Sequence, residues 1–234
     1  MSRRLLVLIV CCLNGVYFAQ FMEHQVWIET GLKVSLSKKF SGGVDLTHRY
    51  AYNGLSTVFP QLSIKYKPIK WLKPSIDYRL IGSKELNGTY TLSHRINGNI
   101  QFDQQIKRFQ AGLRVRYQYS FNHLGAQYDA EFDQAWRIKP SVQYDIKGSA
   151  LLPSVSAEFF YNPANSASGH QFTRIRYYAG LSYTINKHAI GLGAYCDQWV
   201  NSIPRVRIMY NITYAYSLAL KKKDKPQLKN PRDL

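Results

Sequence analysis

Arginines recur at every second position in several parts of this chain. Arg114 and Arg116 form one such pair, and Arg174 and Arg176 form another. Alternate side chains of an extended strand point to the same face, so each pair would place two permanent positive charges on one side. Guanidinium groups bind carboxylates and phosphates, which makes anion binding the first chemistry to consider. The predicted basic face comprises Lys33, Arg49, Arg79, Arg95, Arg114, Arg116, Arg137, Lys139, Arg174, Arg176, Arg205 and Arg207.

Carboxylates on the same predicted face are fewer than the basic residues. They are Glu29, Asp45, Asp77, Glu158 and Asp197. Two interpretations of this imbalance stay open. The basic side chains could pair with these acids, and with tyrosine and glutamine side chains, to fill a narrow interior as a plugged structural or surface-binding protein. Alternatively, the surplus positive charge could line a water-filled path that favours small anions, as basic rings do in anion pores.

A lipid hydrolase is the competing enzymatic hypothesis. His48 and His94 fall on the apolar face of the pattern, near predicted strand ends. A hydrolase needs a nucleophile and a base within hydrogen-bond reach. Neither histidine has a serine two residues further on, and Ser93 points away from the face that carries His94. The missing pair makes the enzyme the weakest of the three hypotheses, and no catalytic residue is predicted.

Metal and cofactor chemistry has little support in the sequence. Once a predicted signal peptide is removed, Cys196 is the only cysteine, so neither a disulfide nor a zinc cluster is expected. Asp129, Glu131 and Asp133 form a weak candidate for a divalent-ion loop, although such clusters are more often solvated loops. We therefore predict no cofactor and no metal site.

The elements that would position the basic face are strands. Apolar and polar residues alternate with period two through eleven segments, most of them as long as the 9–11 residues with which a tilted strand crosses a bilayer. Because single-chain bacterial barrels have even strand numbers, we expect an all-β, antiparallel, up-and-down transmembrane barrel of about 12 strands, within a range of 10–12. A soluble β-sandwich is the alternative. The segments are 26–36, 40–50, 58–67, 72–80, 90–102, 109–121, 136–144, 153–161, 173–185, 189–199 and 206–218.

The strand number depends on two uncertain segments. Residues 122–135 could hide an additional strand, and residues 26–36 could lie off the barrel wall. The connections also alternate in length, which is typical of membrane barrels with short periplasmic turns and longer extracellular loops. The predicted long connections are 51–57, 82–89, 122–135, 162–172 and 200–205, and the short ones lie near 38–39, 68–71, 103–108, 145–151 and 186–188.

The two ends of the chain differ from the barrel in composition. Residues 1–19 combine Arg3 and Arg4 with a short apolar run and a small residue, as a secretory signal does. A lipoprotein signal is less favoured because Cys12 follows Cys11. Residues 221–234 are rich in lysine and contain two prolines, which predicts a disordered basic tail. The barrel would then occupy residues 20–220.

These features predict a location as well as a fold. The net charge of +17 would ordinarily suggest nucleic acid as a partner, but the predicted export argues against it. We expect residence in the outer membrane of a Gram-negative bacterium, with membrane lipid and small anions as partners. Aromatic residues near segment ends fit an interfacial girdle. Its tryptophans would be Trp27, Trp71, Trp136 and Trp199.

Several short stretches resemble the outer-membrane barrel family catalogued as domain of unknown function 2490. The resemblance covers about residues 26–218 and implies the barrel fold and its location, with no established activity and no catalytic residues. The stretches are Tyr66-Lys67-Pro68-Ile69-Lys70-Trp71-Leu72-Lys73, Asp77-Tyr78-Arg79, Leu92-Ser93-His94-Arg95, Arg114-Val115-Arg116-Tyr117-Gln118, Ser156-Ala157-Glu158-Phe159-Phe160-Tyr161 and Arg174-Ile175-Arg176-Tyr177.

Overall fold

A computed structural model of the chain describes residues 21–85, 87–121, 134–163, 171–200 and 205–219. These residues form eleven strands joined into one closed sheet. No helix in this described part is long and apolar enough to cross a membrane. The strands are β1 (Phe21–Ser35), β2 (Phe40–Ala51), β3 (Gly54–Tyr66), β4 (Leu72–Lys84), β5 (Tyr90–Ile106), β6 (Phe109–Phe121), β7 (Gln134–Tyr144), β8 (Leu151–Asn162), β9 (Gln171–Ile185), β10 (His188–Trp199) and β11 (Arg205–Ala219).

Each strand pairs with its neighbour in the sequence, and β1 pairs with β11 to close the barrel. A single closed sheet confirms the barrel and rules out the two-sheet sandwich. The β1 strand pairs along its whole length on one side, from Phe21 opposite Arg205 to Ser35 opposite Ala219, so it is a full wall strand. The number eleven falls within the expected 10–12.

The closing pair departs from the prediction. Consecutive strands run antiparallel, but β1 and β11 run parallel. With alternating directions and an odd number of strands, the first and last strands must point the same way. The barrel therefore contains one parallel strand pair. The prediction was an even number of strands in which every pair is antiparallel.

The connections define the two ends of the barrel. The turn end carries residues 36–39, 67–71, 107–108, 145–150 and 186–187, close to the predicted short connections. The opposite end, called the loop end, carries residues 52–53, and β4, β6, β8 and β10 end there. The prediction of a long connection over 51–57 was wrong, because Ala51 pairs directly with Gly54 across two residues. Gly54 has a φ of 90°, a backbone angle that glycine adopts readily.

Polar residues lie inside the barrel and apolar residues lie outside. Asn97 and Asp197 are fully buried, whereas the side chains of Ile76 and Leu192 are 65% and 60% exposed. Water-soluble proteins show the opposite distribution. The alternation seen in the sequence thus becomes a polar interior and an apolar outer surface, and this places the predicted basic face in the interior.

Three predicted features lie outside the described residues. They are the signal peptide over 1–19, the basic tail over 221–234 and the acidic loop with Asp129, Glu131 and Asp133. The question of an extra strand over 122–135 is answered only for residues 134–135, which begin β7.

Candidate functional site

All eleven strands contribute to the lining of one interior cavity of about 430 Å³ towards the loop end, here called the loop-end cavity. It is lined by every basic residue of the predicted face except Lys33. These residues come from β2, β4, β5, β6, β7, β9 and β11, and the closed barrel brings together side chains that are up to 158 positions apart, as Arg49 and Arg207 are. The basic residues are Arg49, Arg79, Arg95, Arg114, Arg116, Arg137, Lys139, Arg174, Arg176, Arg205 and Arg207.

Aromatic rings support the guanidinium groups on one side of this cavity. The guanidinium carbon of Arg49 lies 3.9 Å from the ring centroid of Trp27 and 4.7 Å from that of Phe59. Arg79 lies over the same Phe59 ring at 4.1 Å. A cation is attracted to the electron-rich face of an aromatic ring, so these contacts help to hold the guanidinium groups at the wall of the cavity.

A second group of rings lies among the arginines of β7, β9 and β11. Phe160 has Arg174 at 4.2 Å and Arg137 at 4.5 Å from its centroid. Trp199 has Arg207 at 5.0 Å and Arg205 at 5.2 Å. Both sides of the cavity therefore combine arginines with aromatic rings.

The assignment of Trp27 and Trp199 to an outward girdle was wrong. Both line the loop-end cavity, and Trp27 is only 4% exposed. Their rings lie under arginines because a stacked aromatic face stabilises a guanidinium group that has lost most of its water. Trp71 and Trp136 do face outward, with 49% and 42% of their surfaces exposed.

Buried ion pairs form a layer across the interior. The Arg116 side chain donates through Nη2 to Asp77 Oδ2 at 2.9 Å and through Nε to the Asn99 amide oxygen. Asn99 in turn donates to the same Asp77 oxygen at 2.9 Å. The three residues come from β4, β5 and β6, so this triad ties three adjacent strands together inside the barrel.

Glu158 is shared by two arginines in the same layer. Arg137 donates to its two carboxylate oxygens at 3.1 and 2.9 Å, while Arg114 makes a single bond of 2.6 Å. The Arg114 side chain is also more exposed, at 24% against 10% for Arg137. Arg137 is therefore the firmly held partner of Glu158, and Arg114 is the more loosely held one.

Two further carboxylates neutralise arginines nearer the loop end. Asp197 accepts two bonds from Arg176, at 2.5 and 2.8 Å, and lies 3.1 Å from Arg174. Glu23 bonds Arg205 at 2.6 Å and Arg207 at 2.9 Å. Sequence reasoning missed Glu23 because it precedes the first recognised segment, although its odd position has the same parity as Glu29.

Some of the other predicted side chains have no ion pair among the described residues. Within the described residues, Glu29 and Asp45 have no basic group within 4 Å, and Arg49, Arg79 and Lys139 have no carboxylate within that distance. The loop-end cavity consequently contains more positive charge than the described carboxylates neutralise.

Two cavities of about 430 and 320 Å³ lie towards the turn end. Their walls are mainly serine, glycine, glutamine and asparagine, with Lys33, Lys65 and Lys73. Arg114 lines both of them as well as the loop-end cavity. The three cavities thus meet at the loosely held arginine.

The residues considered for a hydrolase are not brought together. Ser93 is buried inside the barrel, whereas His94 is on the outer face, where its Nδ1 lies 2.7 Å from the Tyr78 hydroxyl. His48 is on β2, opposite Ile28 of β1 and Val58 of β3, and two strands separate it from Ser93 and His94 on β5. In the described part of the chain, no three histidine, cysteine or acidic side chains are placed to hold a metal ion.

Comparison with known proteins finds one family. The model of the family described as Protein of unknown function (DUF2490) matches residues 24–209. No curated protein matches the sequence.

Proposed function

The chain belongs to the DUF2490 family of proteins of unknown function, and we propose that it is an integral outer-membrane β-barrel whose lumen favours small anions. The observation that carries this proposal is the loop-end cavity, in which eleven basic side chains face one interior space. A membrane location and an anion preference are separate parts of the proposal, and each has its own support and test.

The outer surface supports the membrane part. Strands of 11–17 residues are long enough to cross a hydrocarbon core at a steep tilt. Apolar side chains cover the outside, among them Leu62, Ile76 and Leu192, each more than half exposed. A closed barrel also satisfies backbone hydrogen bonds without a free sheet edge, which a bilayer requires.

Charge supports the anion part. Intramembrane arginines are tolerated when they face water or a partner, and the described carboxylates do not match the arginines in number. A cavity lined by one sign of charge raises the local concentration of the opposite ion. Arg114 lines all three cavities. A movement of this side chain would therefore open a route for small ions between them.

The ion-paired layer favours a second candidate, a plugged barrel with a structural or surface-binding role. Arg116, Arg137, Asp77 and Glu158 are almost fully buried, so this layer narrows the lumen. In that case anions would enter the loop-end cavity and leave by the same mouth. The two candidates differ in conductance and share the anion preference.

Fractionation and electrical recording test the two parts. The full chain should appear in outer-membrane fractions and migrate differently on gels before and after heating; a soluble protein of unchanged mobility would exclude the membrane barrel. In a planar bilayer under a salt gradient, we expect anion-selective currents. A folded barrel without any current would favour the plugged candidate, and release of fatty acid from lipid would revive the hydrolase.

A further inference from the structure

Two arginines share one aromatic ring in the loop-end cavity. The guanidinium carbons of Arg49 and Arg79 lie 4.7 and 4.1 Å from the ring centroid of Phe59, which is only 3% exposed. The three residues belong to the adjacent strands β2, β3 and β4. Two like charges are therefore held against one ring that little water reaches.

Neither arginine is neutralised within the described residues. No described carboxylate lies within 4 Å of either group. Arg79 donates from Nε and Nη2 to the neutral Gln61 Oε1, at 2.9 and 2.5 Å. The Nε of Arg49 is buried and has no hydrogen-bond partner in the described part of the chain. A buried donor without an acceptor is costly, so the pair is suited to receive an external anion.

A third cation faces the same space from across the barrel. Lys139 is on β7, five strands from β2 in the ring of eleven, and lines the loop-end cavity. Its ammonium group lies 5.8 Å from the Tyr178 ring and has no described carboxylate within 4 Å. Glu29 contributes one negative charge to this cavity. Arg49, Arg79 and Lys139 together with Glu29 therefore carry a net charge of +2, which a bound ligand would neutralise.

We propose that Arg49, Arg79 and Lys139 form a binding site for a small anion with two or more negative charges on phosphate, sulfate or carboxylate groups. The cavity volume of about 430 Å³ lies in the range of small-molecule sites. The inference rests on the proposed function in one respect: the loop-end cavity must be open to water from one mouth. It does not require ions to pass through the barrel.

Isothermal titration of the folded full chain in detergent tests the site, with pyrophosphate, citrate and chloride as probes. Pyrophosphate or citrate should bind, and chloride at the same concentration should not. Arg49→Gln with Arg79→Gln should weaken binding by about tenfold or more, since each tenfold corresponds to about 1.4 kcal/mol. Lys38→Gln with Lys39→Gln removes the same charge from an exposed turn and should leave affinity unchanged.

The outcomes separate this inference from the proposed pore. Binding of pyrophosphate alone would identify phosphate groups as the ligand, and binding of citrate alone would identify carboxylates; both support the site. Absence of binding to a heat-modifiable, folded wild type would overturn it, and so would equal weakening by the two double variants. Binding without conductance would retain the site and reject the pore, whereas conductance without binding would do the reverse.

Discussion

The loop-end and turn-end halves of the lumen differ in their basic side chains. The loop-end half contains ten arginines and one lysine, set among aromatic rings. The turn-end cavities share Arg114, Arg116 and Lys139 with it, and their other basic residues are lysines among serine, glycine and amide side chains. A guanidinium group is planar and weakly hydrated, so it can stack on a ring and pair with two oxygens at once, whereas an ammonium group retains its water. Arginine is therefore the cation better suited to the crowded loop-end half of the lumen.

The largest expected difference between the halves concerns their carboxylates. Asp197 is fully buried and neutralises Arg174 and Arg176, so Asp197→Asn should lower the free energy of unfolding by about 3–5 kcal/mol. Asp103 pairs with Lys73 at the turn end, where both are partly exposed, and Asp103→Asn should cost no more than about 1 kcal/mol. Urea unfolding in vesicles measures both. Similar losses would show that the halves do not differ in burial.

An arginine introduced by substitution should have different effects on the outer and inner faces of the barrel wall. Leu113 is exposed on the outer surface, and Leu113→Arg should destabilise the membrane-inserted barrel by about 2–4 kcal/mol. Gln110 is on the same strand but lines a turn-end cavity, so Gln110→Arg should be much milder because its charge meets water. The comparison is made by unfolding in lipid vesicles. Equal effects of the two variants are incompatible with an outer surface that contacts lipid.

A smaller effect is expected where glycine makes room in the interior. A Cβ atom on Gly193 would lie 2.7 Å from the Tyr178 ring and 2.9 Å from the Ala179 carbonyl oxygen. Gly193→Ala should therefore destabilise the barrel by about 1–3 kcal/mol through overpacking. Gly98 faces outward with nothing within 4 Å of such an atom, and Gly98→Ala should be close to neutral. The ranking of the two unfolding midpoints is the test, and a reversed order would contradict the packing described.

The basic face was predictable because alternation depends only on neighbouring residues. Period two alone assigned twelve basic residues to one face, and the structure places eleven of them around the loop-end cavity and Lys33 in a turn-end cavity. The same alternation puts Trp27 on the polar face, so its assignment to a girdle followed its position near a segment end and neglected its parity. Parity was the better guide, since it reflects backbone geometry.

Pairings across the interior were not predictable. Asp77 meets Arg116, 39 residues further on, and Glu158 meets Arg114, 44 residues earlier. Such contacts depend on strand register and on how the barrel closes, which local sequence does not encode. The parallel closure of β1 on β11 belongs to the same class, because it follows from the total number of strands.

We propose that the arginine-rich half of the lumen determines a preference for anions. Reversal potentials under a salt gradient test it directly, with Arg49→Gln/Arg79→Gln compared with Lys33→Gln/Lys65→Gln. Each variant removes two positive charges, and none of these four residues has a carboxylate within 4 Å in the described part of the chain. The wild type should reverse on the anion side, and the arginine variant should move towards zero further than the lysine variant. A cation-selective wild type, or a larger shift from the lysine variant, would show that the arginine-rich half does not set the ion preference.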